Sequence, residues 1–279
     1  MWNEIHRTFD KHARGIECQF KDWKLINSNR RGLRTQLFFK CQMCNYEDYI
    51  WSEPMEPHVL DVNTAAVAGT VTMGIGYAQL EEFCAAVNIP RMSEKTYINR
   101  RESLVDDFQK TAMESMKMAG EVEKQLAIER NDIINGIPYI TVVADGSWMK
   151  RSYGSAYDSS SGVGAIIGYH TRKVLFIGIR NKYCSLCAMA EERGVQVRKH
   201  ICYKNFDRNA SSTSMESDAI AEGFNSSLEM HGLIYKTVIA DGDSSVYQSI
   251  INNDPYREMH VMVRKIECTN HLLRNYAKS

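Results

Sequence analysis

The sequence predicts a mixed α+β fold, with a β-sheet in the C-terminal half preceded by a helical region and a small cysteine-containing unit. Three observations lead to this prediction. β-branched runs recur in the last half of the chain, apolar residues at helical spacing dominate the middle, and Cys-x-x-Cys pairs occur in the first and last parts. The predicted parts are 1–60, 61–136 and 137–279.

The composition is that of an ordinary globular chain, with 44% hydrophobic and 24% charged residues among 279. No apolar run reaches the ~18 residues needed to cross a bilayer, and the N-terminus lacks the pattern of a secretion signal. We therefore expect no membrane partner and expect the cysteines to be reduced. Residues 148–210 carry eleven Lys/Arg against four Asp/Glu, whereas residues 211–260 carry two against eight. A basic surface for a polyanion beside an acidic metal site explains this asymmetry, and scattered solvated charges are the alternative.

The N-terminal part resembles a zinc ribbon in its cysteine spacing. A predicted strand from Leu33 to Lys40 leads into Cys41-x-x-Cys44, and Cys18 lies upstream, before another predicted strand. A zinc ribbon carries two ligands on each of two knuckles. The first knuckle lacks a second cysteine, so His12 is the hypothesis for the fourth ligand. The alternative is three ordinary cysteines.

The middle part is predicted to be helical. Residues 77–87 have apolar positions at helical spacing, and Asn88-Ile89-Pro90 is predicted to be a turn. Ser93 is then the predicted N-cap of a helix that continues, with at most one break, to about Asn131. A short turn between two helices with basic residues resembles a helix-turn-helix, and the alternative is a helical hairpin packed on the next domain. The predicted DNA-binding residues are Arg91, Lys95, Arg100 and Arg101.

From residue 137 the hydrophobic period changes to that of strands. Three strands joined by short polar turns are predicted to form an antiparallel meander, followed by a helix, a strand, a short helix and a last strand. The predicted bounds are 138–145, 162–169, 173–180, 214–230 with Ser214 as N-cap, 235–241, 244–252 and 260–267. This order matches the core of the ribonuclease H-like fold, in which the first and fourth strands lie side by side.

Asp145 and Asp241 are the predicted catalytic metal ligands. Each follows a β-branched run and precedes a glycine, Gly146 or Gly242. Two buried strands that each present a carboxylate at their ends form a plausible site for Mg²⁺ or Mn²⁺. Asp243 is a further candidate ligand. An Asp-Gly pair after a strand is, however, usually a turn, and this alternative stays open for each aspartate.

Two further cysteine motifs follow. Cys184-x-x-Cys187 and His200-x-Cys202, twelve residues apart, fit a Cys₃His zinc insert at 184–202, and the alternative is a surface loop with chance cysteines. After the last predicted strand comes the motif Cys-x-x-His, formed by Cys268 and His271. Structural pairing or metal binding explains this motif better than a nucleophilic dyad, because no third orienting residue is evident.

Together these motifs resemble the Mutator-like transposase domain found in many insect and other animal genomes. The resemblance covers nearly the whole chain and is strongest over 137–279. The order Asp, Asp, Cys-x-x-His is specific to Mutator-type and related transposases, whose fold is ribonuclease H-like. The segments that carry the resemblance are 144–148, 181–187, 200–205, 214–218, 240–247 and 267–271.

The resemblance implies that Asp145 and Asp241 are the first two carboxylates of a DDE-type site that uses Mg²⁺ or Mn²⁺. Cys268 and His271 match the motif that precedes the third acid. The implied chemistry is phosphodiester cleavage and strand transfer at transposon ends. Double-stranded DNA is then the partner, with zinc units and the helical region helping to hold it. A nuclear location follows from that function, and a homo-oligomer is compatible with it.

The chain departs from the family pattern at the third acid. No Asp or Glu follows His271, so we expect the chain to be truncated within the catalytic domain. Glu216, on the helix predicted at 214–230, is the alternative third carboxylate, because ribonuclease H enzymes use a carboxylate from the first helix of this core. A catalytically dead, transposon-derived DNA-binding or interaction protein is the alternative function. The third candidate function is that of a haloacid dehalogenase-like phosphohydrolase, because residues 238–243 resemble the nucleophile strand of such enzymes.

Overall fold

The chain divides into two compact units, Met1–Lys110 and Thr111–Ser279, in a computed structural model. The described residues are 2–12, 18–53, 59–148, 159–241 and 244–268. Both units contain a sheet and helices, so the predicted mixed α+β fold is confirmed. The three-part division of the chain stays a prediction.

The first unit begins with helix α1 (Trp2–Asp10) and a three-stranded antiparallel sheet. Its strands are β1 (Trp23–Arg31), β2 (Arg34–Cys41) and β3 (Glu47–Trp51). β2 matches the strand predicted before the cysteine pair. The buried core under this sheet is small, which leaves little apolar area to stabilise it. The core residues are Phe9, Trp23, Phe39, Cys41 and Ile50.

Three helices complete the first unit, and they pack around a second small core that contains Val67 and Tyr97. They are α2 (Val62–Thr72), α3 (Tyr77–Ala86) and α4 (Glu94–Ser103). The hydroxyl of Ser93 accepts a hydrogen bond from the backbone N–H of Thr96 at 3.2 Å, as its predicted role as N-cap requires. The long helix α5 (Val105–Glu129) begins one residue after the break at Leu104.

The sheet of the second unit combines an antiparallel meander with two parallel strands. Its strands are β4 (Ile133–Ile134), β5 (Ile137–Trp148), β6 (Ser161–Gly168), β7 (Val174–Asn181), β8 (Ile234–Ala240) and β9 (Arg264–Glu267). The order is β7-β6-β5-β8-β9, with β4 paired to β5. β5, β6 and β7 are antiparallel as predicted, whereas β8 runs parallel to β5 and β9 parallel to β8.

The remaining helices are α6 (Ser185–Glu192), α7 (Ser212–Asn225), α8 (Ser227–His231) and α9 (Ser244–Asn253). The predicted N-cap Ser214 is wrong, because the hydroxyl of Ser211 accepts the hydrogen bond from the Ser214 N–H at 3.1 Å. The run Ser-Ser-Thr-Ser offers several capping hydroxyls, and the helix uses the first. Within the part of the chain that the structure describes, no helix has the length and apolar character needed to cross a membrane.

Helix α7 lies close to β6 and β7 because both strands carry glycine where the helix crosses. A Cβ at Gly164 or at Gly178 would lie 2.9 Å from Cβ of Ala219. That separation is shorter than a van der Waals contact, so only glycine permits it. The close approach brings the first turns of α7 next to the C-terminal part of β5, which contains Asp145.

Candidate functional site

Asp145 and Asp241 lie on adjacent parallel strands. Val143 of β5 pairs with Ile239 of β8, and the same offset, two residues further along, sets Asp145 opposite Asp241. Asp145 is exposed and Asp241 is half-buried, directly after β8 ends. The predicted adjacency of the two strands is therefore present, and both carboxylates belong to one edge of the sheet.

β5 does not end at Asp145 as predicted. It continues to Trp148 and pairs there with β6, with Gly146 opposite Gly164. The interpretation of Asp145-Gly146 as a turn is therefore wrong. The pairing of β5 with β6 continues to Trp148, whereas its pairing with β8 ends at Val143. The backbone N–H of Gly146 donates a hydrogen bond to Oδ1 of Asp145 at 2.9 Å, which restrains the carboxylate.

Glu216 brings a third carboxylate to this region from α7. A Cβ at Gly146 would lie 2.6 Å from Oε2 of Glu216, so the Glu216 side chain packs against the backbone next to Asp145. The absence of a side chain at Gly146 leaves the space that Glu216 occupies, and sequence reasoning missed this role. The only signal in the sequence was a glycine that follows a β-branched run. In the described residues, Asp145, Asp241 and Glu216 do not form a group whose ligand atoms lie within 4.8 Å of one another.

The first unit does contain such a group. Ligand atoms of His12, Cys18, Cys41 and Cys44 all lie within 4.8 Å of one another. Cys41 ends β2, and the backbone N–H of Asn45 donates to the carbonyl of Cys41 at 2.9 Å. Asn45 has φ 58°, the left-handed conformation that lets the chain turn tightly after Cys44. The structure thus brings together the three predicted cysteines and His12.

The imidazole of His12 is oriented for metal binding. Its ring lies nearly parallel to those of Trp23 and Tyr46, with ring centroids 5.7 and 5.1 Å away, in a cluster of three aromatic rings. Nδ1 donates a hydrogen bond to the carbonyl of Phe9. Nε2 is buried and has no hydrogen-bond partner among the described residues. A buried ring nitrogen without a partner is costly, and a metal ion would satisfy it.

Cys41 is prepared to act as a thiolate. Burial opposes its ionisation, but the backbone N–H groups of Cys44 and Met43 donate to its sulfur and lower the pKa to about 7. The ligand form of cysteine is the thiolate. The donor set of three sulfurs and one nitrogen is therefore one that zinc binds.

The second group is formed by Cys184, Cys187, His200 and Cys202, whose ligand atoms also lie within 4.8 Å of one another. Cys184 is the N-cap residue of α6, so Cys187 lies in the first turn of that helix. Nδ1 of His200 donates to the carbonyl of Arg198 at 2.7 Å, which points Nε2 toward the sulfurs. The spacing of the four residues predicted this group.

The distances in this group match a tetrahedral zinc site. Nε2 of His200 lies 3.3 Å from Sγ of Cys184 and 3.5 Å from Sγ of Cys187, and the sulfurs of Cys187 and Cys202 are 3.6 Å apart. Zinc bond lengths imply tetrahedral edges of about 3.5 Å from sulfur to nitrogen and about 3.8 Å between sulfurs. These three separations therefore match edges of a zinc tetrahedron, and all four donor atoms lie within 4.8 Å of one another.

Protonation competes with metal binding in this second group, and the hydrogen bond with Cys202, together with burial, raises the pKa of Cys187 to about 11. The backbone N–H of Cys187, with help from His200, lowers the pKa of Cys184 to about 6. The carbonyl of Arg198 and the neighbouring thiols raise the pKa of His200 to about 9. His200 must therefore lose a proton when a metal binds, so binding is weakened as the pH falls.

The model of the Mutator-like transposase family matches residues 1–279. The chain belongs to this family. No curated protein and no solved structure matches it. Membership supports a transposase-type function, with DNA as the general class of partner.

In this Mutator-like chain, Cys268 of the Cys-x-x-His motif lies beside Asp241. Its backbone N–H donates to the carbonyl of Ala240 at 2.9 Å, and the residue is half-buried. His271 and the candidate ligand Asp243 lie outside the described residues. The motif therefore begins at the same edge of the sheet as the two aspartates.

Two of the four predicted DNA-binding residues of this Mutator-like chain line one groove, and the other two do not. Arg91 forms an ion pair with Glu81 and is largely exposed, and Arg100 lies 3.6 Å from Asp61. Arg91 and Arg100 line one groove of the first unit. The other two, Lys95 and Arg101, are exposed on α4 and are not among the residues that line this groove.

Replacing Cys187 with serine should lower the zinc content by one ion per chain, because serine cannot replace a thiolate at a tetrahedral corner. Metal analysis of the purified Mutator-like protein measures this directly. Cys84→Ser is the matched control, since Cys84 belongs to neither ligand group. Unchanged zinc in Cys187→Ser would exclude the second site.

Proposed function

We propose that this chain is a DDE-type transposase catalytic region with a ribonuclease H-like fold, acting on transposon ends. The observation that carries the proposal is the register that sets Asp145 opposite Asp241 across β5 and β8. The strand order supports it, because β5 and β8 correspond to the first and fourth strands of that fold. A nuclear location follows from the proposed reaction.

The donor chemistry at this edge of the sheet fits Mg²⁺ or Mn²⁺, which prefer carboxylate oxygens. Asp145 and Asp241 would hold the ions, and Glu216 would complete the set from α7. When bound, such ions activate a water or a 3′-hydroxyl and stabilise the leaving oxygen. The strands keep the carboxylates in place, and the Gly146 hydrogen bond restrains the orientation of Asp145.

Glu216 is the proposed third carboxylate because Gly146 leaves room for it. Gly146→Ala should therefore displace the Glu216 carboxylate and lower metal-dependent cleavage by about tenfold, the effect of losing roughly 1.4 kcal/mol of transition-state stabilisation. Glu216→Gln should lower cleavage at least as much. Rates of DNA nicking at saturating Mn²⁺ measure both effects.

Gly69→Ala is the control for the glycine change, because Gly69 lies within α2 and a Cβ there meets no neighbouring atom within 4 Å. If Glu216→Gln retains full activity while Gly146→Ala loses it, then the glycine matters for the strand and not for a third carboxylate.

The second candidate function is DNA binding without catalysis. The observation that favours it is the separation of the three carboxylates. Among the described residues their oxygens do not all lie within 4.8 Å of one another, whereas the ligand atoms of each Cys/His group do. In that case the zinc units and the arginine-lined groove would keep a role in holding DNA, and the sheet edge would be a remnant.

Metal-dependent nicking of supercoiled DNA separates the two candidates. The proposed transposase should convert supercoiled to nicked DNA in Mn²⁺ or Mg²⁺, and Ca²⁺ should not substitute, because it demands a larger and less ordered ligand shell. A folded, zinc-loaded chain that binds DNA without nicking it in any of these ions would favour the second candidate.

A further inference from the structure

A groove with arginine on both walls crosses the first unit. It has a volume of about 850 Å³ and lies between the β1–β2 turn and the connection from α3 to α4. Four guanidinium groups line it, and the remaining lining is small, polar or aliphatic. The four are Arg30, Arg31, Arg91 and Arg100. Sequence reasoning missed Arg30 and Arg31, whose only signal was a pair of arginines before a turn glycine.

The β1–β2 turn is held rigidly against α2 by Asn63. Asn63 is 4% exposed, its Nδ2 donates to the carbonyl of Arg31 at 3.0 Å, and its Oδ1 accepts from the N–H of Leu33 at 2.8 Å. Gly32 has φ 65°, and a Cβ there would collide with Asn63. The backbone that carries Arg30 and Arg31 is therefore fixed before any ligand arrives.

The groove keeps positive charge. Arg30 and Arg31 have no carboxylate within ion-pair distance among the described residues. The guanidinium of Arg31 lies 5.5 Å from the centre of the Trp51 ring, which orients it without neutralising it. The side chains of Arg91 and Arg100 are 64% and 44% exposed, so water screens the ion pairs that they make, and such pairs are weak enough to exchange for a stronger anion.

We propose that this groove binds the phosphodiester backbone of duplex DNA; the identity of the partner rests on the proposed function. Guanidinium forks match phosphate oxygens, and phosphate contacts position a protein on DNA without reading its sequence. No aromatic side chain is among the residues found to line the groove, so it lacks the stacking platform that single strands require. Duplex DNA is therefore the favoured ligand.

The test compares two double variants of equal charge. Arg30→Ala with Arg31→Ala removes two groove arginines, and Lys21→Ala with Lys24→Ala removes two exposed lysines near the opposite end of β1. Binding to a duplex oligonucleotide is followed by fluorescence anisotropy at several salt concentrations. The buffer contains neither Mg²⁺ nor Mn²⁺, so catalysis is not needed, and no chelator, so zinc stays bound.

The groove variant should bind about 60-fold more weakly at 0.1 M salt, and its slope of log K against log salt should fall by about 1.8, as two lost phosphate contacts predict. The lysine variant should stay within about threefold of the unaltered chain, because distant exposed charges are screened. Arg30→Lys with Arg31→Lys should recover part of the affinity, since it keeps the charge and loses the fork.

Equal weakening in the arginine and lysine variants, or none in either, would overturn the groove proposal. Tighter binding of single-stranded DNA or of RNA than of duplex DNA would overturn it as well. Zinc content and circular dichroism of each variant identify a folding defect. If the Arg30→Ala with Arg31→Ala variant has one, the affinity of the Arg30→Lys with Arg31→Lys variant decides whether the groove binds DNA. If the chain nicks DNA and the groove variant binds DNA as tightly as the unaltered chain, only this inference is contradicted. If the groove variant binds more weakly and the chain does not nick DNA, only the catalytic proposal is contradicted.

Discussion

Replacing Asp145 with asparagine should abolish Mn²⁺-dependent nicking of supercoiled DNA and leave duplex binding unchanged. Asparagine keeps the shape of the side chain and its hydrogen bond from Gly146, but it removes the negative charge that holds a divalent cation. Loss of several kcal/mol of transition-state stabilisation corresponds to a rate decrease of about a thousandfold. Nicking kinetics and anisotropy on the same preparations measure the two properties.

Asp254→Asn is the matched control for this variant. It makes the same chemical change at the far end of α9, a helix of ten residues that spans about 15 Å from the region of Asp241. Asp254 is exposed and accommodates its left-handed backbone, with φ 42°, equally well as asparagine. Asp241→Asn should behave like Asp145→Asn, because the two carboxylates share one edge of the sheet.

An equal loss of binding and nicking in Asp145→Asn would contradict the catalytic role and show that the aspartate supports the structure of β5. Nicking that survives in both aspartate variants would point to a contaminating nuclease. The comparison therefore tests the metal site separately from the DNA-binding surface.

Replacing Cys41 with serine should remove one zinc ion per chain and unfold the sheet of the first unit. That sheet rests on a core of five buried residues. A structural zinc site contributes about 10–16 kcal/mol of apparent binding free energy, more than so small a core supplies. A metal bound by this group would also connect His12, near the end of α1, to the turn after β2.

Metal analysis and tryptophan fluorescence measure this result, because Trp23 is only 6% exposed in the folded unit and would become solvated. Cys84→Ser is the matched control, since Cys84 is also buried, at 3% exposure, and lies in the same unit outside the ligand group. If Cys84→Ser loses as much zinc as Cys41→Ser, or if Cys41→Ser keeps its zinc, the N-terminal site is excluded.

The two Cys/His groups and the acidic edge of the sheet are supported in physically distinct ways. Each Cys/His group lies in a part of the chain with little apolar material of its own, where a bound metal would substitute for a core. The carboxylates, in contrast, are held by a well-packed sheet with fully buried residues such as Val142 and Val238. Rigid support of that kind is what a catalytic metal site requires.

Sequence alone determined the features that depend on neighbours along the chain. The strands that contain or precede Asp145 and Asp241, the cap at Ser93 and the four-residue Cys/His group at 184–202 all follow from hydrophobic period, local hydrogen bonding and short ligand spacing. These interactions are made within one element or between adjacent ones, so the pattern of residue types specifies them.

Only the tertiary structure decided which distant residues meet. Pairing with β6 carries β5 past Asp145, the glycines of β6 and β7 let α7 bring Glu216 to Gly146, and the fold of the first unit brings His12 to Cys41. In the same way, Asn63 sets Arg30 and Arg31 beside α4. Each of these contacts depends on how close two packed elements can approach, and that distance is a property of the assembled core rather than of any local pattern.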